Sequence, residues 1–159
     1  MGFFSRPDEA GSGSALLPPN RDRIEACMKA NDWVYRIDDD GDVGGMWGGN
    51  VFFFLLMGKE ETTLQIRGRY RHSFTLSQKA EVLEVLDRWH DGWIFPKGYT
   101  NTDDEGRVWV MSEHSVDLRN GASDADIDLN IGIGIHTALS MYDHIKKEFG
   151  IPDDKYDED

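Results

Sequence analysis

Residues 51–71 read VFFFLLMGKEETTLQIRGRYR, and this stretch decides the fold. Val51 to Met57 is apolar throughout, of strand length and far short of the roughly 20 residues that span a bilayer as a helix. The polar turn Gly58-Lys59-Glu60-Glu61 breaks it, and Thr62 to Arg71 then alternates in polarity, so the two runs form an antiparallel hairpin. In the second strand Leu64, Ile66, Gly68 and Tyr70 share one face, and Gln65, Arg67, Arg69 and Arg71 share the other. The first strand is apolar on both faces: Val51, Phe53, Leu55 and Met57 on one, Phe52, Phe54 and Leu56 on the other. A single helical layer covers one side of a sheet, so the second apolar face calls for a subunit, a partner segment or a wrapping helix.

Upstream, Asn20 stands where it can cap a helix that carries Ile24, Cys27 and Met28 at helical spacing. Trp33 to Asp38 follows as an aromatic, β-branched strand, and a Gly/Asp-rich loop leads into Val51. Downstream, Thr75 and Gln78 have capping-box spacing ahead of Val82, Val85, Leu86, Trp89 and Trp93, with the helix running to about His90. KGYTNT and Val108 to Leu118 make a second hairpin across the turn Asp103–Gly106. Ser123 with Asp126 opens a last long helix with Ile127, Ile131, Ile135, Ala138, Tyr142, Ile145 and Phe149 on one stripe. The expected class is α+β, an antiparallel sheet with helices in the order αβββαββα. Residues 1–19 read as a flexible lead-in, 20–150 as one domain and 151–159 as a solvated acidic tail.

The balance of 17 Lys+Arg against 30 Asp+Glu gives a formal charge of -13, which repels phosphate backbones and anionic lipid surfaces. The expectation is a chain that binds neither nucleic acid nor membrane. One cysteine, Cys27, cannot form an internal disulfide and fits a cytoplasmic location. It falls on the inner face of the first helix and reads as a buried apolar side chain.

Candidate sites are few. RIDDDGDVGGMWGGN, residues 36–50, resembles a calcium loop only in part: with Gly41 at position 6, Arg36 stands at position 1 and Trp47 at position 12, where ligands are needed. The strands on either side favour a turn. Trp47 is either a lid on the sheet or part of a recognition patch. The arginine row Arg67, Arg69, Arg71 pairs with acidic neighbours such as Asp38 or Glu113, or it receives an acidic peptide or another anion. Glu113 and His114 lie on opposite faces of their strand, and His136 and His144 are too far apart on one helix for a zinc pair. GIGIH, residues 132–136, follows no strand and is read as close packing or a kink. No catalytic residue, metal or cofactor is assigned.

Several stretches together resemble the YbjN-domain family of bacterial sensory-transduction regulators: RIEACMKANDWVYRIDDDGDVGGMWGG at 23–49, RGRYR at 67–71, WIFPKGY at 93–99 and the acid-capped final helix. The resemblance covers about residues 20–150. Asp87-Arg88-Trp89-His90-Asp91-Gly92 stands where the family carries Asn-rich positions. The family implies a fold like that of type III secretion chaperones, no enzymatic activity, a protein partner and frequent dimerisation. The expectation is therefore a binding or regulatory domain, dimeric, holding a protein or peptide partner on Phe52, Phe54, Leu56, Trp47 and the arginine row. The alternative is an enzyme or small-molecule binder with a pocket lined by Trp89, Trp93 and Tyr99.

Overall fold

The computed structural model describes residues 16–157. Its elements run α1 (Arg21–Ala30), β1 (Tyr35–Ile37), β2 (Val43–Trp47), β3 (Asn50–Met57), β4 (Thr63–Phe74), α2 (Lys79–Gly92), β5 (Lys97–Thr102), β6 (Val108–Asp117) and α3 (Asp124–Glu148). The six strands form one antiparallel sheet in the order β1-β2-β3-β4-β6-β5. The α+β class holds, with one strand more than the sequence suggested. That strand is β2, inside the glycine-rich loop. Gly44 and Gly45 give it little strand propensity of its own, so its conformation comes from pairing, Gly44 opposite Phe53 and Met46 opposite Val51. Gly48 and Gly49, both at positive φ, make the two-residue turn into β3.

The helix ends follow the local chemistry of their caps. The Asn20 side chain accepts a hydrogen bond from the Arg23 backbone N–H at 2.9 Å and starts α1, a cap of the kind that contributes about 1 kcal/mol. Thr75 opens a 3₁₀ turn, Leu76–Gln78, before α2, with its backbone N–H donating to Gln78 Oε1. At α3, Ser123 Oγ accepts from the Asp126 N–H and Asp126 Oδ2 accepts from the Ser123 N–H, a reciprocal capping box.

All three helices lie on one face of the sheet. Phe52, Phe54, Leu64, Ile66, Tyr70, Val108 and Val110 point into the core between the layers and meet Ile24, Met28, Val82, Leu86, Ile131, Ile135 and Tyr142, each such burial being worth roughly 1.5–3 kcal/mol. The stripe expected on α3 is buried through Ile145, with Phe149 packed against its end. Gly134 lets α3 settle onto β4, since a Cβ there would stand 2.5 Å from that of Ile66. Cys27 is buried, its thiol donating to Asp128 at 3.3 Å, and burial pushes it up to about 12, where it is no nucleophile.

The segment expected to be a solvated tail docks instead. Asp153, Asp154 and Asp157 meet Lys146 and Arg71; residues 158–159 lie outside the described residues. At the other end, the lead-in up to residue 15 also lies outside them. Leu17 is tied to the domain by a bridge to Ala122 and by the Arg23 guanidinium on its carbonyl at 2.7 Å.

Candidate functional site

The helices cover one face and leave the other open. On β3 the pleat turns Phe52 and Phe54 inward, 0% and 2% exposed, while Val51, Phe53 and Leu55 look out half-buried and Met57 is exposed. Phe52 and Phe54, expected at a partner surface, are therefore core residues, and Leu56 sits with them on the helical side. The run is apolar on both faces, so nothing local in it distinguishes inside from outside; the packing of α1 and α3 does. Trp47 is also on the helical side, edge-on to Phe52 and Phe54 at 5.7 Å and to Trp33 at 5.6 Å. It is the lid of the two readings.

Cross-strand register builds two rows on the open face. One runs Arg36, Gly44, Phe53, Arg67, Glu113, Lys97, and the next Met46, Val51, Arg69, Met111, Tyr99. In the β4–β6–β5 half the charged groups pair with one another. Glu113, only 14% exposed at its side chain, stands 3.3 Å from Arg67 Nε and 3.4 Å from Lys97 Nζ. It also accepts a 2.6 Å hydrogen bond from the Tyr99 hydroxyl. Burial, then this bond to a carboxylate, pushes the Tyr99 phenol up to about 12. The Arg69 guanidinium lies over the Trp109 ring at 4.7 Å.

The β1–β2–β3 half is different. Val34 and Met46 are 86% and 60% exposed, and Gly44 supplies no side chain beside Phe53. A cavity of about 510 Å³ opens here, lined by Val34, Arg36, Ile37, Met46, Val51 and Phe53 among others. Arg36 and Arg69 have no carboxylate partner among the described residues. Sequence reasoning missed Phe53, Met46 and Arg36 as the surface, since β2 was not recognised and the face of β3 was ambiguous.

The remaining candidates separate. A bulge between Arg69 and Ser73 takes Arg71 out of the arginine row, and it turns to Gly48 and the segment 153–157. Trp89 is buried, stacked on Trp93 at 5.2 Å and facing His144 of α3 at 5.6 Å. Tyr99 lies on the opposite, open face, because its neighbour Gly98 is the residue that meets Met141 and Leu86. The three aromatics therefore do not converge on one cavity. Glu113 and His114 point to opposite faces, His114 Nε2 lying 3.0 Å from Asn130 Oδ1 under α3. The DDDGD loop is a tight turn: Asp38 Oδ1 accepts the N–H groups of Asp40 and Asp42 at 3.0 and 2.8 Å, and Gly41 takes a positive φ.

A family model described as "YbjN: Putative bacterial sensory transduction regulator" matches residues 20–147. Among solved structures the chain resembles "Crystal structure of YbjN, a putative transcription regulator from E. coli", with a TM-score of 0.70 and 9% sequence identity. The alignment covers 85% of this chain and 96% of that one, and at this identity it speaks for the fold alone. A search of curated proteins gives no match.

Proposed function

The chain belongs to the YbjN family, and from that premise we propose that it is a non-enzymatic binding domain with a regulatory role, whose open sheet face holds a protein or peptide partner. The observation that carries this reading is the unfinished half of that face. Val34, Met46, Val51 and Phe53 present apolar surface around a cavity that Arg36, Asp38 and Asp42 also line, Arg69 stands beside it opposite Val51, and neither arginine makes an ion pair among the described residues. Apolar surface of this kind, with charges of both signs at its rim, suits a segment that brings its own apolar side chains and an acid for Arg36 or Arg69. A second copy of the chain is the first occupant we expect, giving a homodimer in the cytoplasm, with the arginines at the edge of the contact. No helix among the described residues is long and apolar enough to cross a membrane.

Light scattering at tens of micromolar tests this reading. The wild type is expected at twice 18.1 kDa, and Phe53→Asp at the monomer mass with its circular dichroism unchanged, since an unpaired carboxylate is costly to bury in a contact. A monomeric wild type removes the second copy as occupant. A Phe53→Asp variant that keeps the wild-type mass removes this face as the interface.

A further inference from the structure

A second site lies away from the open face and is independent of that reading. Arg71 and Lys146 come together between the β2–β3 turn and α3, their side chains only 11% and 8% exposed. Two cations so deeply placed need counter-charges, because an uncompensated buried charge is strongly destabilising. Among the described residues the counter-charges in contact with them come from the segment 153–157, which belongs to no helix or strand. Asp154 takes a two-oxygen contact from Arg71, 3.2 Å from Nε and 3.1 Å from Nη2. Asp157 bridges the pair, 2.9 Å from Arg71 and 2.8 Å from Lys146, and Asp153 reaches Lys146 from a side chain that is 88% exposed. Tyr156 lies between them, its ring beside Gly49 and under Arg71 at 5.8 Å.

The fit is incomplete. Tyr70 is 1% exposed, lines the cavity of about 320 Å³ left beside the segment, and its hydroxyl has no hydrogen-bond partner. His72 Nε2 is likewise buried without a hydrogen bond, 3.6 Å from Asp154. Arg71 is fixed from behind by the Gly48 carbonyl at 3.0 Å and the Asn50 side chain, which accepts from its backbone N–H. Arg71 is thus held independently of the segment, and the filler is a strip of polar chain with carboxylates three residues apart. The geometry points to Arg71, Lys146 and the Tyr70 hydroxyl as a binding site for an acidic peptide of the pattern Asp-x-x-Asp, occupied here by the chain's own segment 153–157 as an internal ligand. A partner's acidic segment binds by displacing it.

An internal ligand competes at an effective concentration in the millimolar range, so its neutralisation should unmask the site. The experiment uses the full chain with Asp153→Asn, Asp154→Asn and Asp157→Asn together, and a fluorescent peptide PDDKYDED read by anisotropy. We expect the variant to bind the peptide about tenfold or more tightly than wild type, and the further change Arg71→Gln to abolish the gain. Should the triple variant not melt cooperatively, Asp154→Asn alone is used with the same readout and a smaller expected gain. The inference is overturned by a neutralised chain that binds no better than wild type, or by binding indifferent to Arg71→Gln. It is also overturned if inorganic phosphate displaces the peptide as well as unlabelled peptide does at matched ionic strength, which would mean a site for any compact anion.

Discussion

The hairpins at opposite ends of the sheet turn on the same backbone and end in opposite surroundings. Asp38-Asp39-Asp40-Gly41-Asp42 joins β1 to β2, and Asp103-Asp104-Glu105-Gly106-Arg107 leads from β5 to β6. In each, the first aspartate accepts two backbone N–H groups and the glycine takes a positive φ. The residue after the glycine differs. The Trp109 indole N–H donates to Asp103 at 2.9 Å and Arg107 pairs with it at 2.8 Å, and first the indole bond, then Arg107, brings the Asp103 carboxyl down to about 2. In the other turn Asp42 is raised, by burial first and then by Asp38 and Asp40. One half of the open face thus pairs its charges down to its turn, while in the other Arg36, Asp38 and Asp42 line one cavity without an ion pair among the described residues. Where a surface has settled its polar groups internally it has little to offer a partner; the β1–β2–β3 half keeps its apolar side chains open and Arg36 without an ion pair among the described residues.

The comparison breaks most visibly at Glu113. Glu113→Ala leaves Arg67 and the Tyr99 hydroxyl unpaired, and we expect a loss of about 2 kcal/mol in urea unfolding, moderated because Arg67 is partly solvated. A loss under about 0.5 kcal/mol would mean that the ladder is ornamental and the halves alike. Acid titration sharpens the contrast between the turns. The Asp103 value is depressed in the folded chain, so its contribution is present above the unfolded value of 3.8 and is lost as pH falls toward about 2. Melting temperatures of wild type and Asp103→Asn should therefore differ at pH 6 and converge near pH 2; parallel curves would deny the linkage. The smallest effect belongs to the unfinished half, where Met46→Thr at an exposed position should change monomer stability by no more than about 0.5 kcal/mol.

Much of this architecture was legible because its signals are local. Asn20, Ser123 and Asp126 announce their helices through contacts within a few residues, and the alternation of Leu64, Ile66 and Tyr70 against Gln65, Arg67 and Arg69 needs only the pleat. What escaped was decided at a distance. Val43-Gly44-Gly45-Met46-Trp47 is a strand because β3 lies beside it, and Phe53 rather than Phe54 faces out because two helices arrive on the other side. Arg71 looked like the third member of a row until the bulge removed it, and its acidic partners lie more than eighty residues further along the chain. Of that strand's two apolar faces, Phe52 and Phe54 belong to the one the helices cover and Phe53 to the open one.

The central place of β4 also orders assembly in time. It pairs with β3 across a short turn, but with β6 only after α2 and β5 have been laid down. Closing the nearer contact has the smaller entropic cost, so the β3–β4 hairpin has the shorter search. That hairpin is also the unit that bears Val51, Phe53 and Leu55. Sticky surface is thus present on a hairpin that closes early and stays uncovered as the helices fill the opposite side, a period in which nascent chains are prone to clump. A net charge of -13 works against such collisions, so the acidity has a use before any partner is met.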